Sequence, residues 1–211
     1  ITEKSVSGKT LSPTVLYFFA LIAYACMSGA YLSIEAVRDT QANLSPLGAR
    51  RSITPYRQQF PIFIDMLVLI FIHFITVMIL TFYLNYILDI DLGNNYLAIL
   101  ATNFMGSLIG ICLGLMIGCI GKLTFSAKIG ICTSTTLLTG FLSGLMFGYK
   151  KDVIEQNVPI LNRINPSAVL SDAYYCISVS NDTLRYQRCM ITLLIMSVLF
   201  LGIEFLGVMR E

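Results

Sequence analysis

A single histidine, His73, stands near the middle of an apolar block at residues 62–88. At that depth an imidazole can relay a proton along a pathway, or it can hold a hydrogen bond to a neighbouring segment. One histidine is too few for histidine-rich metal chemistry. Of six cysteines, Cys26, Cys112, Cys119 and Cys132 lie in apolar blocks, and no C-x-x-C pair exists, so no zinc site is expected. Cys176 and Cys189 lie in a polar segment; they can pair if it is extracytoplasmic, or remain free. Ser7-Gly8-Lys9-Thr10 imitates the end of a phosphate-binding loop, but the glycine needed five residues before Gly8 is Glu3. No strand precedes the stretch and no helix pattern follows it, so the chain is not expected to bind nucleotide itself. Asp89 and Asp91 read as a solvated turn. Asp65 and Glu204 lie a few residues from block ends, where their side chains reach water and serve structural or interfacial roles. No nucleophile triad, H-E-x-x-H or aspartate cluster is present, and no cofactor is called for. The pattern does not support an enzyme.

What must position these residues follows from composition. Hydrophobic residues make up 56% of the chain and charged residues 12%, with a mean hydropathy of +0.76. A soluble domain carries about 25% charged residues. The apolar residues come in five blocks, at 15–34, 62–88, 96–120, 129–147 and 190–209. The first, third and fourth are uncharged; the second holds Asp65 and His73, and the last only Glu204. A helix rises about 1.5 Å per residue, so about 20 residues cross a hydrocarbon core of about 30 Å. A lone segment in lipid must satisfy its own backbone hydrogen bonds, which makes each block a helix. The expectation is one all-α membrane domain over residues 1–211, with about five transmembrane helices. The net charge of +2 and the lack of a basic stripe with interleaved aromatics exclude nucleic acid as a partner.

The connecting segments set orientation. Residues 35–60 hold Arg38, Arg50, Arg51 and Arg57, and residues 121–128 hold Lys122 and Lys128, whereas residues 89–95 hold two aspartates and no cation. Basic loops belong in the cytoplasm, which puts the N-terminus outside and the C-terminus inside. The segment 149–188 is then outside. The chain begins at Ile1 and has no secretory signal, so a preceding span is expected, giving six in the full protein with both ends inside. Ser45-Pro46-Leu47-Gly48 breaks the chain, and a short surface helix fits the arginines that follow. Asn165-Pro166 reads as a helix start, with Asn at the cap and Pro in the first turn. The helix it opens is about 12 residues, too short to cross. It dips into the outer leaflet or lies on it, or it is a small extracytoplasmic helix packed on the bundle.

Glycines recur every four residues: Gly106, Gly110, Gly114 and Gly118 in the third block, and Gly140, Gly144 and Gly148 in the fourth. Such a stripe lets two backbones approach closely. It serves packing between helices of one subunit, or a subunit interface or sliding face.

The order of parts resembles the permease subunits of type-two ATP-binding-cassette exporters. Arg50-Arg51-Ser52-Ile53-Thr54-Pro55 sits where that family has its basic, proline-containing cytoplasmic loop. The stretch Asn165-Pro166-Ser167-Ala168-Val169-Leu170-Ser171-Asp172-Ala173-Tyr174-Tyr175 is similar to its Asn-Pro segment before the last span, and Met209-Arg210-Glu211 fits the end of that span. The likeness covers nearly the whole chain as spans two to six, and it departs in lacking the first. It implies a multi-pass protein of the cell (inner) membrane with a cytoplasmic coupling helix and a partly re-entrant outer segment. It also implies a second permease subunit, identical or different, and a separate ATPase subunit that docks near Arg38, Arg50, Arg51 and Arg57 and drives export. An ion- or proton-coupled carrier or channel, with His73 in its pathway, is the alternative.

Overall fold

A computed structural model of the chain describes residues 13–41, 44–53, 59–93, 95–120, 123–145, 159–180 and 182–208. Ser7-Gly8-Lys9-Thr10, Arg57, Lys122 and Gly148 fall outside them. All regular elements among the described residues are helical: α1 (Pro13–Met27), α2 (Gly29–Arg38), α3 (Pro46–Ser52), α4 (Gln59–Tyr86), α5 (Tyr96–Gly118), α6 (Phe125–Leu142), α7 (Pro159–Ile164), α8 (Pro166–Tyr175) and α9 (Thr183–Val208). A π turn, Cys176–Ser180, extends α8. The protein is an all-α membrane protein.

Among the described residues four helices are long and apolar enough to cross a membrane: Thr14–Arg38, which joins α1 and α2, then Ile62–Tyr86, Tyr96–Gly118 and Thr183–Phe205. The first is not one continuous helix. It breaks at Ser28, whose hydroxyl donates to the Ala25 carbonyl at 2.7 Å, and Gly29 follows. A serine that bonds back to its own helix, next to glycine, bends a helix.

The fourth block folds as α6, but displaced from 129–147 toward the N-terminus. Thr124 caps it by accepting from Ala127 N at 3.4 Å, so the helix takes in Lys128, which the sequence assigned to a loop. It stops at Gly144, where φ is 96°. Leu145 N donates to the Gly140 carbonyl at 3.2 Å and Gly144 N to the Phe141 carbonyl at 3.3 Å. That pair is the left-handed glycine stop of a helix end. Gly144 therefore ends α6.

α5 is the hub. It packs against α1, α2, α4, α6, α8 and α9, and its interior side carries Ile109, Ile111 and Cys112 with no exposure. α8 forms as the Asn-Pro pair predicts, with Asn165 Oδ1 accepting from Ser167 N at 3.1 Å. It does not lie on the surface: Pro166–Ser171 are all buried, between α1 and α9.

Candidate functional site

The glycine stripe of α5 meets the first kinked helix of the same chain. A Cβ on Gly110 would lie 2.1 Å from the Cys26 carbonyl oxygen. On Gly114 it would lie 2.1 Å from the Ala30 carbonyl oxygen, and on Gly106 2.6 Å from Cys26 Sγ. Gly118 is looser, at 3.0 Å from the Val37 side chain. On α6, Gly140 approaches the Tyr24 ring at 2.7 Å. The seam along α1 and α2 is a backbone-to-backbone contact of the kind small residues allow in a membrane.

At the end of this seam three helix termini meet. Lys128, buried in the first turn of α6, donates from Nζ to Gln41 Oε1 at 2.9 Å and to the Gly118 carbonyl at the end of α5. A cation there answers the negative end of the α5 dipole and an orphan carbonyl together. Gln41 follows α2, and its backbone supports α3: a Cβ on Gly48 would stand 2.2 Å from the Gln41 carbonyl oxygen. Ser45 Oγ caps α3 by accepting from Gly48 N at 2.9 Å. Lys128 and Gln41 thus tie α2, α3, α5 and α6 together. Arg38 lies over the Phe125 ring at 4.8 Å, and Arg50 is exposed on α3. Arg51 is on α3, its side chain outside the described residues.

His73 does not join that group. It is 3% exposed and packs at the α1–α2 break, where a Cβ on Gly29 would lie 3.0 Å from its Cε1. Its Nδ1 has no hydrogen-bond partner among the described residues.

A buried polar knot fixes α8 nearer the other end. Asn103 on α5 donates from Nδ2 to Thr81 Oγ1 of α4 at 3.1 Å. Its Oδ1 accepts from the Tyr174 hydroxyl of α8. Tyr174 also stacks on Phe19 of α1 at 6.3 Å. Nearby, Tyr186 of α9 donates to the Ala98 carbonyl at 3.1 Å. Beyond the knot, Arg185 pairs with Asp172 at 3.2 Å, and the Cys176 and Cys189 thiols are hydrogen-bonded to each other without a disulfide. Among the described residues no group of His, Cys, Asp and Glu could hold a metal ion.

Asn103 and Gln41 were not singled out by the sequence, and Tyr174 was noted only as part of the Asn-Pro stretch. Lys128 was counted only as loop charge. A lone Asn in an uncharged block was the one available sign of the knot.

These features define a polytopic helical membrane protein with a short helix inserted beside its last span and a tied basic end. Residues 2–207 match the family described as ABC-2 family transporter protein. The chain belongs to that family, and it is a membrane-spanning permease component of an ATP-binding-cassette transporter, not its ATPase. No curated protein and no solved structure matches it.

Proposed function

We propose that this permease is the pathway-forming subunit of an ATP-driven exporter of the cell (inner) membrane. It pairs with a second permease, identical or different, and takes its drive from an ATPase docked on α3. The observation that carries this reading is the tie among α3, Gln41, Lys128 and Gly118. Force applied to α3 reaches Gln41 through its backbone and then the ends of α5 and α6 through Lys128. The glycine seam gives those ends a smooth surface on which to shift. Arg38, Arg50, Arg51 and Arg57 supply the positive charge that places this end in the cytoplasm.

The test is purification of the full-length protein from its own membrane. An ATPase subunit should accompany it, and the Arg50→Glu/Arg51→Glu variant should retain less of that subunit. Repeated absence of an ATPase, or docking indifferent to the charge reversal, removes α3 from the mechanism.

One observation favours the carrier reading: His73 is buried near mid-span with Nδ1 unpartnered among the described residues. Transport that persists without ATP and loses its pH response in His73→Ala would support it over the exporter.

A further inference from the structure

A cavity of about 770 Å³ opens at the end of the molecule opposite Lys128, among α7, α8 and α9. Its wall carries Arg163, Arg185 and Arg188 against Asp172 and Asp182. Both carboxylates are engaged. Asp172 is paired with Arg185, and Asp182 Oδ1 caps α9 by accepting from Leu184 N and Arg185 N, each at 3.1 Å. Arg185 is further held over the Tyr175 ring at 5.8 Å. Arg163 and Arg188 make no ion pair among the described residues. Asn162, also in the wall, has Nδ2 and Oδ1 both buried with no partner among the described residues. The cavity therefore offers two uncommitted guanidinium groups and an idle amide, which is the donor set for a phosphate.

The wall continues as an apolar track. Arg188, Ile191, Ile195 and Val198 follow one face of α9 at helical spacing. Ile191, Ile195 and Val198 are 58%, 53% and 59% exposed. At about 1.5 Å per residue, Arg188 to Val198 spans about 15 Å. That is about half a hydrocarbon core, the depth of one leaflet.

We infer that this cavity holds the headgroup of an anionic phospholipid, its phosphate between Arg163 and Arg188 and an acyl chain along Ile191, Ile195 and Val198. The site requires only that α9 spans the bilayer. It does not depend on the direction of transport or on the ATPase.

The experiment uses the purified transporter in mild detergent, given equal amounts of phosphatidylglycerol and phosphatidylcholine, with retained lipid read by native mass spectrometry. Phosphatidylglycerol should be retained in preference. Arg163→Gln/Arg188→Gln should lose that preference by about fivefold per arginine. Both side chains are exposed, so the variant should keep the wild-type thermal unfolding profile; if it does not, the two single variants carry the test. Equal retention of the two lipids overturns the inference, as does a preference untouched by the substitutions. Inorganic phosphate retained as strongly without lipid would assign the cavity to a free anion, which also overturns it. Retention is read without transport, so failure here leaves the permease reading standing.

Discussion

α5 and α9 each supply a 23-residue membrane span, and an 18-residue stretch of each reaches the same mean hydropathy, although α9 also carries Arg185, Arg188 and Glu204. In the fold they are opposites. α5 is buried by six neighbouring helices, while most of α9 faces outward. Hydropathy reports that a segment belongs in lipid, where leucine has no preference for protein over acyl chain. What draws a helix inward is small residues and uncharged polar ones. α5 has Gly106, Gly110, Gly114 and Gly118, with Asn103 beside them; α9 has Gly202, which meets nothing within 4 Å.

The strongest way to break this comparison is one methyl group. Gly110→Ala places a Cβ 2.1 Å from the Cys26 carbonyl oxygen, and backbone cannot step aside as a side chain can. Overpacking of that kind costs about 1–3 kcal/mol. Purified Gly110→Ala should unfold at lower temperature in detergent, or fail to accumulate, while Gly202→Ala should match wild type. Equal tolerance at both positions would mean that the seam is not a contact.

The same contrast explains what was legible in the sequence. Spans α4, α5 and α9 follow from block length because backbone satisfaction in lipid allows little else. α8 follows from Asn165-Pro166, a purely local signal. The break at Ser28-Gly29 was missed because an apolar run hides a bend made by one hydroxyl. The end of α6 was missed because Gly144, spaced as a packing glycine, sits in a left-handed turn. Of the basic end, the sequence gives charge and α3. It does not give Lys128 and Gln41, whose partners lie across the fold. The Asn103–Tyr174 pair is equally a tertiary fact.

That pair sharpens the comparison next. Asn103→Leu removes the bonds to Thr81 and Tyr174; Thr81 still donates to the Val77 carbonyl at 2.8 Å, while the buried Tyr174 hydroxyl loses its acceptor. Hydrogen bonds between membrane helices average about 0.6 kcal/mol and reach about 1.7. The expected loss is about 1–2 kcal/mol in an unfolding titration, with Tyr174→Phe losing about half of it. No loss in either variant would show that α8 is held by packing alone.

Lys128→Met tests the other tie. Its methylenes and volume are largely kept, and the desolvation cost of a buried cation disappears along with its bonds. The net stability change is therefore expected within about 1 kcal/mol. The sharper readout is coupling: in the purified transporter the ATPase should remain bound while permease-dependent stimulation of ATP hydrolysis falls. Full stimulation in Lys128→Met would remove this link from the path between α3 and the spans.

The smallest expected effect lies on α9. Leu194 is 52% exposed, so Leu194→Ala opens no closed cavity in this chain. Its unfolding free energy should stay within about 0.5 kcal/mol of wild type. The measurement is informative because it separates two environments that the lone chain presents identically. A lipid-facing leucine exchanges one apolar neighbour for another and costs little. A leucine buried against a second permease would leave a cavity on truncation, at about 2–5 kcal/mol. A loss of that size, seen in the assembled transporter and absent from the isolated chain, would place α9 at the subunit interface. The difference between α5 and α9 would then be one of which chain buries them, rather than whether they are buried.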